Sequence, residues 1–63
     1  MGTLYDMRAF FRFLEEATDD ELVQRRDALR QVLDGLTEEG VIADARFLLR
    51  KIEEEMLARG LRF

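Results

Sequence analysis

Between Leu33 and Gly40 the chain reads LDGLTEEG, and the reading of this joint decides the fold. On both sides lie stretches rich in Leu, Glu, Arg and Ala, with no Pro anywhere, so propensity favours helix on either flank. Gly35 can supply the left-handed residue that ends one helix. Thr37 can cap the next, with Glu38 and Glu39 in its first turn, where the helix dipole favours negative charge. Leu36 and Val41 are spaced to form a hydrophobic staple across that cap, although Gly40 weakens the first turn and could move the start to Val41. Such a joint suits two architectures, the DNA-reading helix-turn-helix and the plain helical hairpin. The N-terminus of the second helix separates them, because those residues meet bases and phosphates. Here they are Glu38, Glu39 and Asp44, which repel a phosphate backbone. Arg46, Arg50 and Lys51 follow only later, offset by Glu53, Glu54 and Glu55. The hairpin is the expectation.

Working outward, Thr18 followed by Glu21 makes a capping box, with Asp19 and Asp20 reinforcing the start of the preceding partner helix. Thr3 can begin a first helix, and Gly60 ends the third. The caps and spacing therefore predict an all-α fold, a three-helix hairpin or bundle over about 3–16, 18–34 and 37–59. A single domain over 3–60 and a short C-terminal tail over 61–63 complete the expected organisation.

Size makes stability the central difficulty. At about 25 cal/mol per Å², the apolar burial available to 63 residues returns on the order of 100 kcal/mol. Ordering the same chain costs about 95 kcal/mol. Small proteins close such a gap with disulfides, a metal or self-association. The chain has no Cys and no His, which removes disulfides and the common zinc sites. Self-association is left, so a helical homodimer is expected.

The apolar pattern suggests where such a contact forms. In the second helix Leu22, Leu29, Val32, Leu33 and Leu36 share one stripe, with Val23 well off it and Arg25 at its edge, its stem snorkelling along the core. The third helix carries Val41, Ile42, Ala45, Leu48, Leu49, Ile52 and Met56 on one side. Phe47 points roughly 140° away from Ile42, among Ala43, Glu54 and Ala58. In the first helix Leu4, Met7, Phe10, Phe11, Phe13 and Leu14 spread over an arc of roughly 180°, wider than packing on one side requires. Tyr5 lies on the remaining face. Tyr5, Phe10, Phe13, Val23, Ala43 and Phe47 are thus the candidate partner and self-association residues, since aromatic side chains dominate interface energetics.

Catalytic chemistry finds little to work with. Beside the missing His and Cys there is no Ser, and Thr3, Thr18 and Thr37 all fall at helix starts. The single Lys, Lys51, has acids nearby, and the acidic run IEEEM, Ile52 to Met56, fans around its helix. Neither a calcium loop nor a phosphate-binding glycine loop is present. No enzyme activity, cofactor or metal is expected. No apolar run reaches the length of a membrane span, and the net charge of −4 disfavours anionic surfaces, so no membrane partner and a cytoplasmic setting are expected.

The expected function is that of a non-enzymatic protein–protein interaction module, a small acidic adaptor, regulator or inhibitor that docks through an apolar helix face. One alternative is a dimeric nucleic-acid-binding regulator using Arg25, Arg26 and Arg30. Another is an acidic decoy for a basic surface of a nucleic-acid-handling protein, provided Asp19, Asp20, Glu21, Glu38 and Glu39 merge into one patch.

Overall fold

The capping box at Thr18 organises the start of the central helix. In the computed structural model, which describes residues 7–61, the Thr18 N–H donates to Glu21 Oε1 at 2.8 Å and the Glu21 N–H donates to Thr18 Oγ1 at 3.2 Å. Two backbone donors at the helix start are thereby satisfied. The described residues form three helices and no strand: α1 (Met7–Glu16), α2 (Asp19–Gly35) and α3 (Glu39–Ala58). The start of the first helix expected at Thr3, and Tyr5 with it, lies outside the described residues.

The joint that opened the sequence reading is a hairpin. Arg30 of α2 pairs with Glu53 of α3 at 3.0 Å. Leu22, near the start of α2, packs with Ile52 and Met56, near the end of α3. The two helices therefore run antiparallel beside each other and form the principal helix pair. Local details of the joint differ from expectation. Gly35 stays helical, and Leu36 ends α2 by turning extended (φ −82°, ψ 140°), its N–H donating to Leu33 O at 3.2 Å. An extended exit needs no left-handed residue, so the expected role of Gly35 is not used. Glu38, not Thr37, is the N-cap of α3, and it makes no side-chain cap bond. That moves the Leu36–Val41 staple out of register, because the cap now falls one residue later.

The C-terminus of α3 follows the glycine rule closely. Gly60 has φ 78°, the only positive φ among the described residues. The Gly60 N–H donates to Leu57 O at 2.9 Å and the Leu61 N–H to Met56 O at 2.9 Å, the paired bonds of a Schellman motif. Leu61 packs against the cluster that contains Met56. It belongs to the folded body, not to the C-terminal tail expected from residue 61.

This terminus aims Arg59 at the α1–α2 joint. Its Nη2 donates to Leu14 O at 2.8 Å and its Nη1 to Ala17 O at 2.7 Å. Its Nε donates to Glu55 at 2.9 Å, and Nη1 reaches Asp19 Oδ1 at 3.2 Å. The last turn of α1 has no basic residue of its own, so its free carbonyls and negative dipole end receive a cation from the far end of the chain. The hydrogen bond to Glu55, then that to Asp19, holds the Arg59 pKa above its ordinary value.

The core sits at this end. Phe10, Leu14, Ala17, Leu22, Ile52 and Met56 form one buried cluster, with Met7, Phe13, Val23, Leu29, Leu48 and Leu61 packed on it. Phe10 is a correction to the sequence reading: it does not extend into a partner but is buried within a single chain. Val23 faces this cluster too, because the start of α2 is enclosed by both α1 and the end of α3. Toward the hairpin joint Ala45 is buried and Leu33, Leu36, Val41, Ile42 and Leu49 are partly buried, whereas Val32, expected in the buried stripe, is 52% exposed. The body is thin, with principal extents of 33 × 24 × 14 Å.

Three measurements check this account. Thr18→Ala is expected to cost about 1 kcal/mol in urea unfolding at neutral pH. The backbone bond from Thr18, then its side-chain bond, lowers the Glu21 pKa. A lowered folded pKa contributes stability above the unfolded value and loses it as pH falls through the folded one. The advantage of wild type over Glu21→Gln is therefore expected to shrink across the acid side of the ordinary glutamate range. Arg59→Met is expected to lower Tm by more than Thr18→Ala, and Arg59→Lys not to restore it, because one ammonium cannot span the same set of oxygens.

Candidate functional site

Helix α1 lies over the proximal end of the hairpin and leaves a shallow groove on each flank. On the α2 side, Phe13, Glu21, Gln24, Arg25 and Ala28 line a space of about 320 Å³. The Arg25 guanidinium lies 4.3 Å from the centre of the Phe13 ring. Phe13 is half-buried against the core, so its ring is covered from below by the core and from the side by a cation. The expected snorkelling of Arg25 takes this form.

On the α3 side, Phe11, Leu14, Glu15, Lys51, Glu54 and Glu55 line a space of about 370 Å³. Phe11 is 44% exposed and meets Phe10 edge to face at 5.9 Å. Phe47 stands just outside this groove, 41% exposed, with Lys51 Nζ 5.5 Å from its ring centre. Ala43, one turn away, is exposed as well. Of the residues assigned to a partner from sequence, Ala43 and Phe47 are thus outward, Phe13 and Val23 half-buried, and Phe10 buried. Phe11, which the sequence reading placed in the broad apolar arc of the first helix without singling it out, is outward.

The charged runs resolve into separate pairs. In IEEEM, Glu53 takes Arg30 at 3.0 Å, Glu54 takes Lys51 at 3.3 Å and Arg50 at 3.5 Å, and Glu55 takes Arg59 at 2.9 Å. The arginines of RRDALR diverge in the same way. Arg25 covers Phe13, Arg26 has a largely covered side chain (12% exposed) bonded to Asp27 at 3.0 Å, and Arg30 bridges to α3. Each contact is modest at an exposed surface, yet together they turn the bases toward the protein. Among the described residues no group of three or more carboxylates is placed to hold a metal ion. Among the described residues no helix is long and apolar enough to cross a membrane.

The acidic patch needed for a decoy does not assemble. Asp19, Asp20 and Glu21 begin α2, whereas Glu38 and Glu39 begin α3 at the opposite end of the hairpin. The length of α2, about 25 Å, separates them, and Asp19 is engaged by Arg59.

Comparison with protein-family models, with curated proteins and with solved structures gave no match. The two faces of the aromatic end are expected to respond oppositely to truncation. Phe10→Ala should cost about 3 kcal/mol or more, most of the stability of so small a domain. Phe47→Glu should stay within about 0.5 kcal/mol of wild type. Thermal melts followed by circular dichroism check both.

Proposed function

We propose that this chain is a non-enzymatic protein-interaction module, an acidic helical adaptor, regulator or inhibitor that works through apolar helix surface and self-associates. The observation that carries this reading is the presence of outward apolar side chains beside surface charges that pair with one another. Phe11, Val32, Phe47 and Leu57 are exposed large hydrophobic residues. The acids and bases around them are occupied with one another and do not converge on a common point. These side chains put outward apolar surface on all three helices, which supports the reading of a chain that makes protein contacts.

Nucleic-acid binding draws less support, because Arg25, Arg26 and Arg30 each serve a different contact within the chain. The acidic-decoy variant draws less as well, since its acids stand at two separate ends. Sedimentation velocity across micromolar concentrations tests the favoured reading, with labelled duplex DNA at low salt as a second arm. A mass above the monomer and no salt-dependent DNA shift are expected. A chain that stays monomeric and fully folded, or one that binds duplex tightly at low salt, overturns it.

A further inference from the structure

We infer that the outer face of α3, the line of Ala43, Phe47, Arg50, Glu54 and Leu57, is the self-association surface, and that it pairs antiparallel with the same line of a second copy of this chain. This rests on the self-associating reading above and gives it a face and a direction.

The five positions follow one another at intervals of four, three, four and three residues, the spacing that keeps a single seam along one side of a helix. They fall within an arc of roughly 80°, on the side of α3 away from Ile52 and Met56, which are fully buried. All five are exposed, and Leu57, at 68%, is the most open large hydrophobic residue among those described. The neighbouring helices take the two flanks of α3 instead. Helix α2 reaches it at Glu53, and α1 shares a groove with Lys51 and Glu55. Among the described residues nothing but Lys51, a member of the same helix, lies over the Phe47 ring.

The order of side chains along the seam says what covers it. Phe47 and Leu57 bracket Arg50 and Glu54. A two-fold axis level with Ile52 lies five residues from both Phe47 and Leu57, and two residues from both Arg50 and Glu54. Antiparallel copies related by that axis therefore set each Phe47 against the Leu57 of the other, and each Arg50 against the Glu54 of the other. Parallel copies would set Arg50 on Arg50 and Glu54 on Glu54, so charge selects the antiparallel direction. Within one chain Arg50 Nε stands 3.5 Å from Glu54 Oε2, with the two side chains 79% and 53% exposed. A pair so open contributes little and is readily exchanged for one between copies. The seam is about 20 Å long, a small contact, so a dimer Kd on the order of tens of micromolar is expected. At low micromolar concentration the chain then melts as a monomer.

Sedimentation velocity over a concentration series that brackets this Kd tests the assignment, with circular dichroism reporting helix content. The samples are wild type, Arg50→Glu, Glu54→Arg, an equimolar mixture of those two, Phe47→Ala and Val32→Glu. Wild type is expected to dimerise. Arg50→Glu and Glu54→Arg should each raise the Kd at least about tenfold, because each sets like charges together in both central layers. Their mixture should return to within about threefold of wild type, because opposite charges meet again in both layers. Phe47→Ala should raise the Kd about tenfold, and it decides the matter if a reversed charge lowers helix content. Val32→Glu, on another helix, should change the Kd less than about threefold. Overall charge alone predicts the reverse for Glu54→Arg, which makes this acidic chain less negative. A dimer tightened by Glu54→Arg, or a mixture no better than its components, overturns this surface. So does a dimer broken at Val32 and untouched at Phe47, which leaves self-association standing. A wild type that is monomeric throughout overturns both.

Discussion

The fold depends on one guanidinium. Arg59 gathers oxygens that belong to the end of α1, the start of α2 and the last turn of α3. A helix of ten residues has almost no stability of its own in water. Its C-terminal carbonyls either find donors or remain with solvent, and in this chain the donors come from more than forty residues away. The left-handed Gly60 makes the arrangement possible, because the Schellman turn folds Leu61 back over Met56 and fixes the direction in which Arg59 leaves α3.

Around that contact the molecule divides into two ends of different character. The proximal end is dry and triply layered, held by Leu22, Ile52 and Met56, all fully buried. Toward the joint the described packing is that of α2 against α3, with Ala45 buried and Val32 exposed. Packing energy depends on being enclosed on several sides, so the distal leucines contribute less than equally apolar residues at the proximal end.

Signals confined to a few residues were legible in the sequence. The Thr18 box, the Gly60 stop and the hairpin joint each arise from atoms within one or two turns, and each is where local chemistry placed it. The exceptions at Gly35 and Thr37 are small shifts in how the chain leaves one helix and enters the next. What could not be read is anything that depends on the lateral reach of a neighbour. Helical periodicity places Val32 on the stripe of Leu29 and Leu33, but does not tell that it is 52% exposed while they are partly buried. Periodicity likewise gives Phe10 and Phe13 a wide arc, but not that the end of α3 and the start of α2 enclose it from both sides. Arg59 went unnoticed for the same reason. One clue was available: the stretch LEEA, Leu14 to Ala17, carries acids where a helix end favours a base, so a cation had to arrive from elsewhere.

Arg59 and Gly60 also set the timing of the protein's birth. Translation delivers Phe10 and Phe13 well before Ile52 and Met56, which enclose them. Until Ile52, Met56 and Arg59 have left the ribosome, the nascent aromatic segment has neither a bed to lie on nor donors for its carbonyls. Helix pairing between α2 and α3 cannot substitute, because the enclosed cluster needs α1 as its lid. Collapse of this domain therefore waits for its third helix, and the interval before it is when the aromatic segment is most open to chaperones and to aggregation.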